Sequence, residues 1–209
     1  TVPGGEYDVY VAIRKSKGGL ELQDEVPPTV PPTVPPTVLP TVLLLSQQVS
    51  VPDLWTTELR TSSVIVAAGL DVLTAPLGTE EQIENPYTLG TTQIIPKIGR
   101  NFGKAEELSL VLLVYNAQLT SEQAPDVTVE YNFYQKTNNG EEFFNSTDPQ
   151  QFNQQTLPGF DASLGHQIVS GQAVPMRVFP IGDHRLEITV SDNAAGTSLI
   201  REINFTVQE

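Results

Sequence analysis

The chain contains no cysteine. Disulfides, thiol nucleophiles and zinc–thiolate centres are therefore excluded. Basic residues are scarce: 11 Lys and Arg stand against 25 Asp and Glu, a formal charge of −14. Phosphate-rich partners need clustered cations, so neither nucleic acid nor an anionic membrane surface is expected. Long apolar runs are missing too. The longest, Val38 to Leu45, is broken by Pro40 and Thr41 and falls well short of the roughly 20 residues of a spanning helix. Histidine is limited to His166 and His184, with no metal-ligand spacing such as His-Glu-x-x-His. Each reads as an ordinary surface or capping residue, and no cofactor is expected.

What is present is alternation. Around Pro180–Ser191, Leu186, Ile188 and Val190 alternate with Arg185, Glu187 and Thr189 after a Gly182-Asp183 turn. This is a strand with one apolar and one wet face. A turn at Asp192–Gly196 leads to a second run carrying Leu199, Ile203, Phe205 and Val207. The whole reads as a terminal β-hairpin. Its first half has an echo at the other end of the chain. Pro3 matches Pro180, Gly5 matches Gly182, Tyr7 falls at His184, and Val9, Val11 and Ile13 match Leu186, Ile188 and Val190. Such self-similarity marks repeated units. Residues 1–52 are accordingly expected to be a hairpin, the closing strands of a β-domain whose remainder lies elsewhere. Its arms are 6–14 and 41–51, the second with Leu43, Leu45, Val49 and Val51. The chain opens at Thr1 without a signal peptide and reads as a processed product or a fragment.

Between the arms lies a low-complexity tract, 26–42, with three Pro-Pro-Thr-Val units and a Leu-Pro-Thr-Val variant. Proline fixes φ and removes ladder donors, so polyproline II is expected. Pro27, Pro28, Pro31, Pro32, Pro35, Pro36 and Pro40 make it a stiff spacer, a glycan-bearing stalk, or a repeat expansion in a tolerant loop. Trp55, the only tryptophan, is expected to pack at the junction.

Residues 53–209 read as strands. They are predicted over Leu59–Ala68, Thr92–Lys97, Ile98–Phe102, Leu108–Tyr115, Val127–Tyr134, Glu141–Asn145, Gln167–Val169, Ala173–Phe179 and the closing hairpin. Leu108–Tyr115 is apolar on both faces, which predicts a central strand. Asn138-Asn-Gly140 predicts a tight hairpin turn. Residues 69–90 and 146–165 read as loops. No long helical period occurs. The expected fold is all-β: an immunoglobulin-like antiparallel β-sandwich preceded by the hairpin with its Pro-Thr-rich loop.

Several stretches carry a resemblance. They are Gly5–Ile13, Val51-Pro-Asp-Leu54, Leu59–Val66, Arg100-Asn-Phe-Gly103, Leu112-Leu-Val-Tyr-Asn116 and Pro180–Val190. In this order they resemble the C-terminal immunoglobulin-like region of exported acidobacterial proteins that carry a von Willebrand-type A domain or a GWxTD domain upstream. The likeness spans nearly all of the chain except about 16–42. It implies export and β-sandwich modules rather than an activity, and hence a place outside the cell, at its surface or in the periplasm. Neither an Asp-x-Ser-x-Ser metal motif nor a GWxTD sequence is present here. His184 stands where the pattern usually has Tyr, which speaks against a tyrosine-corner hydrogen bond there.

Catalytic chemistry finds little purchase. Asp161-Ala-Ser-Leu-Gly165 lacks the first glycine of a nucleophile elbow. Gly99–Lys104 lacks Walker spacing. Glu80-Glu81, Glu84, Glu106-Glu107 and Glu141-Glu142 offer oxygen ligands without calcium-loop spacing and read as solvated loop charge. Asn145 and Asn204 match the glycosylation sequon by chance. The chain is not expected to be an enzyme. Two readings remain: a structural module packing its hairpin on an adjacent immunoglobulin-like domain, or a filament subunit adding strands to identical neighbours. In both, Tyr7, Val9, Tyr10, Val11, Ile13, Leu45, Val49 and Val51 form the interface.

Overall fold

The structure, a computed structural model, describes residues 3–14, 42–54 and 56–209, without the side chains of Ile13, Arg14 and Val42. The proline tract with its spacer residues, and Trp55, lie outside the described residues. The chain divides into two compact units, Thr1–Asp53 and Leu54–Glu209.

In the first unit, β1 (Gly5–Arg14) pairs antiparallel with β2 (Val42–Val51) from Gly5↔Val51 to Arg14↔Val42 without a bulge. Among the described residues the unit has no second layer.

The second unit is built from twelve strands and one short helix. In chain order they are β3 (Arg60–Thr61), β4 (Ile65–Val72), α1 (Thr79–Glu84), β5 (Thr88–Leu89), β6 (Thr92–Pro96), β7 (Asn101–Gly103) and β8 (Glu107–Tyr115). There follow β9 (Val127–Thr137), β10 (Gly140–Ser146), β11 (Gln150–Phe152), β12 (Ile168–Pro175), β13 (Gly182–Asp192) and β14 (Thr197–Gln208). One sheet runs β12-β8-β4-β6-β5, with β3 also on β8. The other runs β10-β9-β13-β14-β7, with β11 on β9. All pairs are antiparallel except β14 with β7. The chain crosses from β8 to β9 in the other sheet, returns at β12 and crosses again to β13, between β9 and β14. This order and crossing pattern make an immunoglobulin-like sandwich.

Alternation explains the core. Leu108, Leu110, Leu112 and Val114 of β8 face Val127, Val129, Tyr131 and Phe133 of β9, and Leu186, Ile188 and Val190 of β13, in one cluster. Strand β8 is central and also uses its outer face, where Val111 meets Ala67 and Ile94. Phe133, Phe179, Phe205 and Phe102 close one region edge to face, the geometry aromatic quadrupoles favour.

Several expectations are corrected. Leu59–Ala68 is two strands, broken at Ser62-Ser63, because the Ser62 hydroxyl accepts from the Leu113 amide and donates to the Ser63 carbonyl. The 69–90 segment is not only loop. β4 continues to Val72, and Glu81 accepts from the Gly78 amide to cap α1. The strand foreseen at Ile98–Phe102 shrinks to Asn101–Gly103. Residues 146–165 include β11 and a 3-10 turn at Ala162–Leu164. The two strands foreseen at 167–179 are one, β12, followed by a 3-10 turn at Met176–Val178.

His184 is the main correction. It is fully buried, not a surface residue. Its ring stacks on Phe205 at 5.3 Å and meets Phe179 and Phe144. Nε2 lies 2.9 Å from the Pro180 carbonyl, so that nitrogen carries the proton and donates. The corner hydrogen bond exists, made by imidazole rather than phenol.

Candidate functional site

The corner recurs in the first unit. The Tyr7 hydroxyl donates to the Pro3 carbonyl at 2.8 Å, again four residues back. Gly5 has φ 154° and Gly182 φ 129°, a region glycine enters without strain. The registers coincide as well: Gly5↔Val51, Tyr7↔Val49, Val9↔Gln47 and Val11↔Leu45 parallel Gly182↔Val207, His184↔Phe205, Leu186↔Ile203 and Ile188↔Arg201. β1–β2 thus reproduces the geometry of β13–β14, strand for strand.

The two hairpins differ in burial. Leu186, Ile188, Phe205 and Val207 are sealed under the opposite sheet. In β1–β2 the equivalent face is open: Val9 is 45% exposed, Val11 50%, Leu45 52%, Leu43 54% and Val49 36%. Tyr7 and Val51 are half-buried. Strand residues two apart share a face, so Tyr7, Val9 and Val11 lie together with Val49, Gln47 and Leu45 opposite them and Leu43 next along β2. Ile13 sits at the next position of that face by register. Tyr10 does not belong to it. It pairs with Ser46 on the other face and is 64% exposed, beside the Ala12↔Leu44 pair. Sequence reasoning missed Gln47, the one polar residue within the apolar face. Its signal was the break in the Leu43/Leu45/Val49 alternation. It also missed Leu44, 61% exposed on the Tyr10 face.

The other candidate chemistry resolves into structure. Ser163 donates to Asp161, not to a histidine, and Asp161 also accepts the Ser163 amide. These bonds, the hydroxyl's first, hold the Asp161 carboxyl below its ordinary range. His166 Nδ1 accepts the Asp161 amide. Together they cap a 3-10 turn. Glu106 is held below the usual carboxylate range by the Lys97 ammonium and the Gly103 amide. On the outer face of the β10-β9-β13-β14 sheet, Arg185 bonds Glu187, Glu141 and Glu202 and lies 4.3 Å over the Tyr134 ring. These carboxylates lock the guanidinium in its charged form. Among the described residues no cluster of three or more His, Asp or Glu side chains suits a metal ion. Asn204, in β14, accepts from Lys136.

A cleft of about 750 Å³, with polar and apolar lining, lies where the 56–59 segment, the β8–β9 connection and the β13–β14 turn meet. Asn116, at φ 58°, binds the carbonyls of Leu54 and Glu58 there. Asp192 is buried and accepts the amides of Gln118 and Ala195. These groups tie three loops together.

No protein-family model matches the chain, and no curated protein matches it. Solved structures do. An immunoglobulin-like protein from Pseudomonas aeruginosa aligns at 14% identity and TM-score 0.32, over 70% of this chain and 98% of that one. A β-glucosidase from Listeria innocua, in complex with glucose, aligns at 10% identity and TM-score 0.32, over 66% of this chain and 22% of that one. At this distance the likenesses carry no functional argument. The fold assignment rests on strand order and crossings.

Proposed function

We propose that this chain is a non-enzymatic structural module of an exported bacterial protein, and that its N-terminal hairpin packs on another protein domain. The observation that carries the reading is the open apolar face of β1–β2, which matches a buried face elsewhere in the same chain. A two-stranded hairpin alone is marginal in water, and contiguous exposed apolar area marks an interface. The partner layer is protein of immunoglobulin-like type, working outside the cell, at its surface or in the periplasm. The Pro-Thr tract, when it carries glycan, decorates the loop of that joint. The acidic balance argues for protein partners over nucleic acid.

A filament built by strand addition between copies is the second reading. It is favoured by β1 and β2 each pairing on one side only among the described residues. Such an arm would supply main-chain hydrogen bonds to a neighbour.

The test is hydrogen exchange on the protein purified from its source, with light scattering and electron microscopy at several concentrations. Protected amides in β1–β2 are expected. Val11→Lys, on the apolar face, should release that protection, and Tyr10→Lys, on the opposite face, should not. Unprotected β1–β2 amides in the natural protein sink the reading. Ordered filaments that vanish on deletion of residues 1–51 move the assignment to the second one.

A further inference from the structure

The hairpin face is apolar except at one point. Gln47 lies opposite Val9, and its counterpart in the second unit is Ile203, 6% exposed under the opposite sheet. A face that packs as β13–β14 packs therefore buries the Gln47 amide. A buried amide without partners is strongly disfavoured, and Gln carries one acceptor oxygen and two donor hydrogens. The second unit shows how such a group is accommodated. The Tyr131 hydroxyl, Ser170 and Gln150 form a closed hydrogen-bonded chain between its two sheets.

We propose that Gln47 sets the specificity and register of the hairpin face, and that the covering sheet presents a hydrogen-bonding side chain opposite it. The inference rests on the reading of β1–β2 as a closing pair that packs on another domain. The occupant is a sheet of a second immunoglobulin-like unit, made by polypeptide other than the described residues. A folded copy of this chain cannot offer the equivalent place, because β13–β14 already fills it with side chains such as His184, Leu186 and Ile188 at 0% exposure. The partner's chemistry follows from what surrounds the counterparts. An aromatic ring from the partner flanks Tyr7, as Phe144 of β10 flanks His184. An aliphatic row resembling Leu108, Leu110 and Leu112 of β8 lies under Val9 and Val11. One polar group stands among them, facing Gln47. A wholly apolar face tolerates slippage and wrong partners; one polar group that must be matched does not.

The experiment is hydrogen exchange of β1–β2 in the protein purified from its source, comparing wild type, Gln47→Leu and Val11→Lys. Gln47→Leu keeps the volume and strands the partner's polar group, which is expected to speed β1–β2 exchange about fivefold or more. Unchanged or slower exchange in Gln47→Leu, with Val11→Lys still accelerating it, overturns this inference and leaves the packing reading intact. If Val11→Lys has no effect, the packing reading itself fails. Light scattering of wild-type 1–209 supplies the second arm. A dimer that protects β1–β2 makes the occupant a second copy and overturns the inference. A monomer in which Gln47→Leu alone induces association supports it.

Discussion

The most discriminating test of the sandwich interior is an asymmetric pair of substitutions. Tyr131 and Ser170 lie in opposite sheets, both fully buried. The Gln150 amide nitrogen donates to the Gly171 carbonyl and to Gln172, which leaves the Gln150 oxygen to accept from Ser170 at 2.8 Å. The Ser170 proton is thereby spent, so the Tyr131 hydroxyl is the donor in its 2.8 Å bond to Ser170. The direction of every proton follows from Gln150. Tyr131→Phe deletes the first donor and leaves Ser170 bonded, for a loss of about 0.5–1.5 kcal/mol. Ser170→Ala leaves the Tyr131 hydroxyl without an acceptor and Gln150 without its donor. An orphaned buried group costs about 1–3 kcal/mol, or roughly 2–4 °C in Tm per kcal/mol for a unit of this size. In the double variant the Tyr131 orphan is gone and only the Gln150 oxygen lacks its donor, so it should be less destabilised than the sum, with a coupling of about 1 kcal/mol. Urea titration followed by far-UV circular dichroism reads this directly. Equal single effects, or strict additivity, would refute the proton order and the bridge built on it.

Two further outcomes are expected. His184→Tyr should unfold at higher denaturant than His184→Phe by about 1 kcal/mol, because a phenol keeps the Pro180 carbonyl bonded; equal midpoints would show that the corner bond contributes nothing. At high pH, burial pushes the Tyr131 phenol above its ordinary value of 10.0, against a smaller opposing effect from Ser170. The folded pKa is raised, so this contribution is complete below pH 10 and lost as pH climbs through the folded value. A Tyr131→Phe chain should therefore lose stability less steeply above about pH 10, as thermal melts across that range would record.

How much of this was readable from the chain depends on whether the cause is local. Strand β8 declared itself through Leu108–Tyr115, since a run apolar on both faces has nowhere to lie but inside. The β9–β10 turn was written in Asn138-Asn-Gly140, and the two arms of the N-terminal hairpin in the alternation of Val9 and Val11 and of Leu45 and Val49. The break at Ser62-Ser63 was not legible, because it depends on Leu113, far along the sequence. The continuity of β12 through Gly171 was hidden for the same reason. It is set by pairing along β8, from Ile168↔Val114 to Pro175↔Glu107. A histidine among three phenylalanines could not be foreseen from composition, because only the folded sheet brings Phe144, Phe179 and Phe205 around its ring. Within the candidate site, the apolar side chains were legible one by one. The side of the ribbon taken by Tyr10 and the solitary amide of Gln47 stood in the same alternation; only their partners across the ribbon, Ser46 and Val9, needed the register.

The repeated hook from an aromatic side chain to a proline carbonyl has a consequence for the order of folding. Each hook closes a loop of only four residues, so it needs no help from a distant strand and carries little of the entropy penalty of long-range contact. It persists in β1–β2, where no second layer lies over it among the described residues of the unit. Beside the tight hairpins and the remote pairings that complete the sheets, it gives a strand its starting point, its direction and its inward side before any neighbour arrives.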